Sequence, residues 1–218
     1  MMTAPPIFQG DFEAHLTVRV ADETSLTALE RHAVAQDLKF THIRLARGRV
    51  RDQPMLTARY SGTFSSVRDS VAELVARMTG AGFPLLRTKI ESTPWTIGVP
   101  ATDTAAVALG SSYYFEHHVK LLLATDVDSA LLTAIAIAHA AYLSANARRV
   151  RSDRRAERFV TQRCRAVGEP TAAARLAALS ADLAGGPYEI LSVEREFVVF
   201  DSDESVDAGW IDEKGELP

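Results

Sequence analysis

Residues 12–20 alternate strictly, with Phe12, Ala14, Leu16, Val18 and Val20 on one side and Glu13, His15, Thr17 and Arg19 on the other. A period of two is the mark of a strand with one buried face. Asp22 and Ser25 then offer capping side chains to a helix that carries Leu26, Leu29 and Ala33 as far as about Gln36. Residues 40–46 and 55–60 read as two strands joined by the polar connection 47–54. Beyond Gly62 and Thr63, Val67, Val71, Leu74, Val75 and Met78 share one helical face, and Gly80 and Gly82 close that helix. Residues 85–91 complete the unit as a strand, with Leu86, Thr88 and Ile90 opposite Arg87, Lys89 and Glu91. The order is βαββαβ.

The chain then repeats itself. Phe12-Glu13-Ala14-His15 returns as Phe115-Glu116-His117-His118, Thr57-Ala58-Arg59 as Thr161-Gln162-Arg163, and Leu86 and Glu91 as Leu191 and Glu196, so the spacing grows from 103 through 104 to 105 residues. The second copy reads as a strand over 115–123, a helix over about 128–142 with Leu131, Leu132, Ile135 and Ala138, and a strand over 159–166. Pro170 opens an alanine-rich helix with Leu176, Leu179 and Leu183, Gly185-Gly186 ends it, and residues 188–200 form the last strand. The pattern predicts an α+β protein, a tandem duplication of a ferredoxin-like βαββαβ domain with antiparallel sheets and helices on one face. The divisions are repeat one at 1–91, a linker at 92–111, repeat two at 112–200 and an acidic tail at 201–218. Trp95 and Ile97 predict that part of the linker packs on a domain.

Strand order decides where polar residues meet. In this topology the first strand lies between the third and the fourth, so the uncovered face of repeat one gathers Glu13, His15 and Thr17, then Thr57 and Arg59, then Arg87, Lys89 and Glu91. Repeat two gathers Glu116, His118 and Lys120, then Thr161 and Arg163, then Glu194 and Glu196. Antiparallel pairing puts His15 near Glu91 and His118 near Glu196, where a carboxylate orients the imidazole and favours its charged form. Two such faces meet within the chain or across a homodimer and enclose a polar cavity, or they are solvated like any exposed sheet face.

Arginine and lysine beside threonine hydroxyls and histidines suit an anionic small molecule such as a phosphate ester. The expected ligand-binding residues are Glu13, Thr17, Arg59, Lys89, Glu91, Glu116, Lys120, Arg163 and Glu196, with His15 and His118 at the centre and catalytic if the protein is an enzyme. His15-Leu16-Thr17 resembles the His-x-Thr signature of the two-histidine phosphoesterases, whose two lobes each contribute one such motif on a strand. That resemblance implies phosphodiester cleavage with His15 and His118 as acid and base, although the second copy carries Lys120 where the signature has a hydroxyl. A protein-interaction module using the sheet faces is the other alternative. A metal set drawn from Glu13, His15 and Glu91, or from His117, His118 and Glu196, is weakened because alternation sends His117 and His118 to opposite faces. No metal and no cofactor are therefore expected.

Charge and composition narrow the partners. A net charge of −4 over 218 residues argues against a general nucleic-acid coat. Six arginines between residues 148 and 158 form a local basic cluster, and the tail from 201 to 218 holds seven acidic residues and one lysine, so the two are expected to neutralise each other in cis. The absence of a long apolar run predicts no membrane partner, and the single Cys164 predicts a buried thiol in a cytoplasmic protein. No glycine-rich phosphate loop, Gly-x-Ser-x-Gly elbow or dinucleotide fingerprint occurs.

Overall fold

The computed structural model describes residues 6–124, 129–147 and 155–211. The first half runs β1 (Gln9–Val18), α1 (Glu23–Ala35), β2 (Lys39–Leu45), β3 (Asp52–Thr63), α2 (Phe64–Gly80) and β4 (Leu85–Ser92). A connecting helix α3 (Asp103–Leu109) leads to β5 (Tyr114–Leu123), α4 (Ser129–Ala138), β6 (Ala141–Asn146), β7 (Ala156–Arg165), α5 (Glu169–Ala184) and β8 (Glu189–Asp201). The protein is a mixed α+β fold whose eight antiparallel strands close in the order β1-β3-β2-β6-β7-β5-β8-β4.

The local signals act as the sequence suggests. Asp22 and Ser25 form a reciprocal capping box at the start of α1, and Thr63 accepts a hydrogen bond from the Ser66 amide at the start of α2. Leu29, Ala33, Val67, Val71, Leu74 and Met78 bury their helices against Leu16, Leu56 and Ile90 on the outside of the barrel. A second core sets Leu132, Ala136, Leu176, Leu179 and Leu183 against Val119, Leu121 and Val160. Helices therefore cover the outer surface, and the other face of every strand is left for the lumen.

Two seams make the barrel. Each half by itself is a four-stranded sheet with β2 or β6 at one edge and β4 or β8 at the other. Pairing of Leu45 with Ser144 and Ile43 with Asn146 joins β2 to β6, and pairing of Lys89 with Asp201 and Ser92 with Phe197 joins β4 to β8. Closure satisfies the backbone groups that four open edges would leave unpaired. The polar faces thereby turn toward each other inside one chain, one of the two arrangements that the sequence left open.

The second half departs from the sequence pattern in one element. The helix expected over 128–142 begins in described residues at Ser129 and stops at Ala138, and Tyr142 belongs to β6. Ala140 turns with φ of 48°, and the Gln162 side chain donates to the His139 carbonyl, fixing the helix end. Helix propensity in this alanine-rich stretch yields to the β6 pairings with β2 and β7. Leu131 is exposed, whereas Leu132 and Ala136 are buried.

The linker is pinned by its backbone. Gln9 and Ile97 exchange backbone hydrogen bonds, yet the Trp95 and Ile97 side chains are exposed rather than packed. Gly98 has φ of +95°, and a Cβ there would lie 2.2 Å from the Ile7 carbonyl oxygen, so only glycine fits.

The tail is described as far as Ile211. After β8, residues 204–207 form a short 3-10 turn, and Trp210 and Ile211 pack on Leu45 beside Tyr142. Trp210 donates its indole N–H to the Leu143 carbonyl at 3.0 Å. The tail acids meet barrel arginines: Asp201 and Asp207 pair with Arg87, Asp207 with Arg163, and Glu204 with Arg165. Four of the clustered arginines, at 148, 149, 151 and 154, lie outside the described residues. Of the other two, Arg155 pairs with Glu189 and Arg158 donates to the Glu157 carbonyl. Cys164 is free and buried, and burial raises its thiol pKa. Among the described residues no helix is long and apolar enough to cross a membrane.

Candidate functional site in the barrel lumen

The lumen holds a cavity of about 310 Å³ lined by side chains from all eight strands. One end is covered by the tail, through Asp207 and Trp210. The other end leads to a second hollow of about 450 Å³ bordered by Asp11, Lys39, Arg59, Glu194 and Arg195.

The same three-residue chain occurs in each half. His15 Nδ1 lies 2.9 Å from Thr57 Oγ1, and its Nε2 lies 2.7 Å from Glu91 Oε2. His118 Nδ1 lies 2.9 Å from Thr161 Oγ1, and its Nε2 lies 3.2 Å from Glu196 Oε2 and 3.5 Å from Glu116 Oε1. The central strand β1 or β5 places the histidine, β3 or β7 the threonine, and β4 or β8 the glutamate. Diagonal contact arises because the residue directly opposite His15 is Lys89, and that opposite His118 is Glu194.

Lys89 and Glu194 occupy matching positions opposite His15 and His118, and their difference makes the two halves of the lumen unlike. Lys89 Nζ sits 2.6 Å from Glu91 Oε1 and 2.6 Å from Glu116 Oε1, bridging carboxylates from the two halves. Burial works against the ammonium, but Glu116 and Glu91 outweigh it and hold Lys89 above its ordinary range. Burial would raise Glu91 and Glu116, yet Lys89 dominates and keeps both below the usual carboxylate range, with help from His15 and Arg163 respectively. Glu196 lacks such a clasp, and burial together with the Glu91 charge raises its pKa. Burial also opposes the His118 imidazolium, but hydrogen bonds to Glu116 and Glu196 raise its pKa to about 10.

Arg59 and Arg163 match in sequence and differ in setting. Arg59 pairs with Glu13 at 2.8 Å at the open mouth, with its side chain 78% exposed. Arg163 is 4% exposed under the tail, bound to Glu116 at 2.7 Å and Asp207 at 3.0 Å. Arg87 is buried beside Asp201 and Asp207. Of the other expected residues, Thr17 lines the lumen and Lys120 pairs with Glu157 at 2.8 Å. The lumen thus unites Glu13, His15, Thr17, Lys89, Glu91, Glu116, His118, Lys120 and Glu196, while Arg59 stands at its rim.

Sequence reasoning missed Asp207, 3% exposed, whose carboxylate accepts from Arg87 Nη1 at 2.8 Å, Arg163 Nη2 at 3.0 Å and Gln53 Nε2 at 3.3 Å. Its only signal was its place in a tail that follows a lumen strand. His117 does face away from His118, but the lumen combines donors from both halves, Glu13 with His15 and Glu196, and Glu91 with Glu116 and His118.

His117 supplies a pH test. It is 1% exposed on the outer face with Nδ1 3.4 Å from Gln162 Oε1, and burial lowers its pKa from 6.5 to about 4. The unfolded chain binds a proton below pH 6.5 that the native state refuses until about pH 4. Its stabilising contribution is therefore present above pH 6.5 and falls as pH drops, by on the order of 3 kcal/mol in total. Urea unfolding between pH 4.5 and 7.5 should show a steeper acid loss in the wild type than in His117→Gln; equal slopes would contradict a neutral buried imidazole.

No protein-family model matches the sequence and no curated protein matches it, so the reading of this lumen rests on its own geometry and chemistry.

Proposed function

We propose that this protein is a duplicated ferredoxin-like barrel that binds a small anionic molecule of the phosphate-ester class in its lumen. The observation that carries the reading is the Thr–His–Glu chain repeated in both halves and aimed into one enclosed polar cavity. The duplication is supported by the βαββαβ order of each half and by the matched places of those residues. A merely solvated face has no reason to bury two such chains, because burial of polar groups costs free energy unless each is paired.

The charges divide along the lumen. The deep cations Arg87, Lys89 and Arg163 are each bound by two carboxylates. The exposed Lys39 and Arg59 border the open mouth beside Asp11, Glu13 and Glu194, and are the basic groups it offers to an entering anion. Both ring nitrogens of His15 and His118 are engaged by protein partners, so binding is the reading carried forward. Phosphodiester cleavage would require each Nε2 to leave its carboxylate. The single buried thiol fits a reducing compartment, and the cytoplasm is the one we assign.

A thermal-shift series with inorganic phosphate, nucleotides, cyclic nucleotides and sugar phosphates tests the proposal. A ligand at about 100 times its Kd should stabilise the wild type by roughly 2.7 kcal/mol. Ser192→Trp, which fills the lumen from the strand position opposite Lys120, should abolish the shift, as should His15→Ala/His118→Ala. Failure of every anion to shift the wild type, or an equal shift in the plugged variant, would reject lumen binding.

A further inference from the structure

We propose that the lumen binds one divalent first-row metal ion, such as Mn²⁺ or Zn²⁺, through Glu13, His15 and Glu196. This deepens the lumen reading and rests on it, since it names the cation with which an anion enters a cavity lined by six carboxylates and four lysines and arginines.

Each of the three residues offers one donor atom, and these atoms lie within 4.8 Å of one another. His15 Nε2 faces them, 4.0 Å from Glu13 Oε2, and exchanges its 2.7 Å contact with Glu91 for the ion when metal enters. The Thr57 hydroxyl at Nδ1, 2.9 Å away, fixes the ring so that Nε2 is the nitrogen turned to the carboxylates. An outer hydroxyl that orients a ligating imidazole is the usual support for such a site. A mixed imidazole and carboxylate set suits Mn²⁺ and Zn²⁺ rather than a soft monovalent ion. Three protein ligands leave positions for water or for an oxygen of an entering anion.

The other half of the lumen carries a counterpart of this set. Exchange of the halves turns Glu13, His15 and Glu196 into Glu116, His118 and Glu91, which also bring their donor atoms within 4.8 Å. In that counterpart a cation is present, the Lys89 ammonium at 2.6 Å from both Glu91 and Glu116. Its match in the repeat is Glu194, a carboxylate at the mouth of the first set. The chain has thus built two equivalent donor rings: Lys89 fills one, while in the other, with Glu194 at its mouth, Arg59 holds Glu13 at the exposed rim and His118 holds Glu196. An ion in this ring takes the place that the Lys89 ammonium holds in its counterpart, and the adjoining hollow gives it a way in.

The test uses the full chain, stripped with EDTA and titrated with MnCl2 or ZnCl2. One metal per chain after gel filtration and a raised melting temperature are expected. Glu13→Gln, at the partly exposed ligand, and Glu196→Gln should lose binding. Thr57→Val, which removes only the orienting hydroxyl, should weaken it about 10-fold or more. Asp182→Asn, at the remote His139 pair, should bind as the wild type does. Absence of stoichiometric metal in the wild type, or unchanged binding in Glu13→Gln and Glu196→Gln, would overturn the site. Phosphate-ester binding that persists in stripped protein unable to hold metal would overturn the site alone and leave lumen binding intact. Metal bound without any anion effect would support the site and count against the phosphate-ester reading.

Discussion

Replacing Lys89 with methionine should destabilise the fold by about 3–5 kcal/mol, the cost of breaking a buried ion pair from one side. Lys89 is 9% exposed, and its ammonium is the shared partner of Glu91 and Glu116 at 2.6 Å each. Methionine keeps much of the volume but leaves two carboxylates from different halves facing each other. Glu116 retains Arg163 at 2.7 Å and Glu91 retains His15 at 2.7 Å, so the barrel is weakened rather than dismantled. Adding Glu116→Gln to Lys89→Met should restore part of the loss, because the repulsion then has one charge fewer. Urea unfolding of the two single variants and the double variant gives the coupling directly. A loss below about 1 kcal/mol for Lys89→Met would mean that water reaches these carboxylates and that the pair behaves like a surface one.

Asp207→Ala should cost about 3 kcal/mol and should be partly rescued by acetate. Asp207 ties the tail to the lumen by accepting from Arg87, Arg163 and Gln53 at once. Its removal leaves Arg87 with Asp201 and Arg163 with Glu116, each guanidinium losing one of two carboxylates. Two buried guanidiniums that each keep only one of two carboxylates account for the size of the loss. Acetate is the departing group in free form, so it should raise the melting temperature of Asp207→Ala more than that of the wild type at equal ionic strength. Chloride at the same ionic strength serves as the reference for general screening. An identical response of both proteins to acetate would show that no anion enters the vacated place.

The two predictions probe parts of the lumen that differ in how far they can be read from the chain. Lys89 is visible in the alternation of its strand, which also puts it on one face with Glu91, and its place opposite His15 follows from antiparallel pairing. Its role as a clasp between halves is not visible, because Glu116 reaches it only after the barrel closes. Asp207 is less legible still. It lies outside both repeats, among acidic residues that look alike, and only the path of the chain beyond β8 singles it out. Arg59 and Arg163 make the same point from the other side. They hold matching places on β3 and β7, yet one stands at the open mouth and the other is sealed beneath the tail, since the tail follows only the second half.

What the sequence determined by itself is whatever depends on neighbours along the chain or on the strand order within one half. Alternation from Phe12 to Val18 set which side chains of β1 face the helices, Asp22 and Thr63 set where α1 and α2 begin, and the repeated Glu-x-His with its later glutamate set the two histidine–carboxylate contacts. What the tertiary structure decided is everything carried by the seams. Whether β2 finds β6 and β4 finds β8 depends on edges about 100 or more residues apart meeting in space, and a loop of that length imposes little local preference. Those seams drew Tyr142 out of an alanine-rich helical pattern into β6, turned two open faces into one lumen, and placed Glu13 beside Glu196 and Lys89 beside Glu116. Long-range strand pairing, not local propensity, made the candidate site.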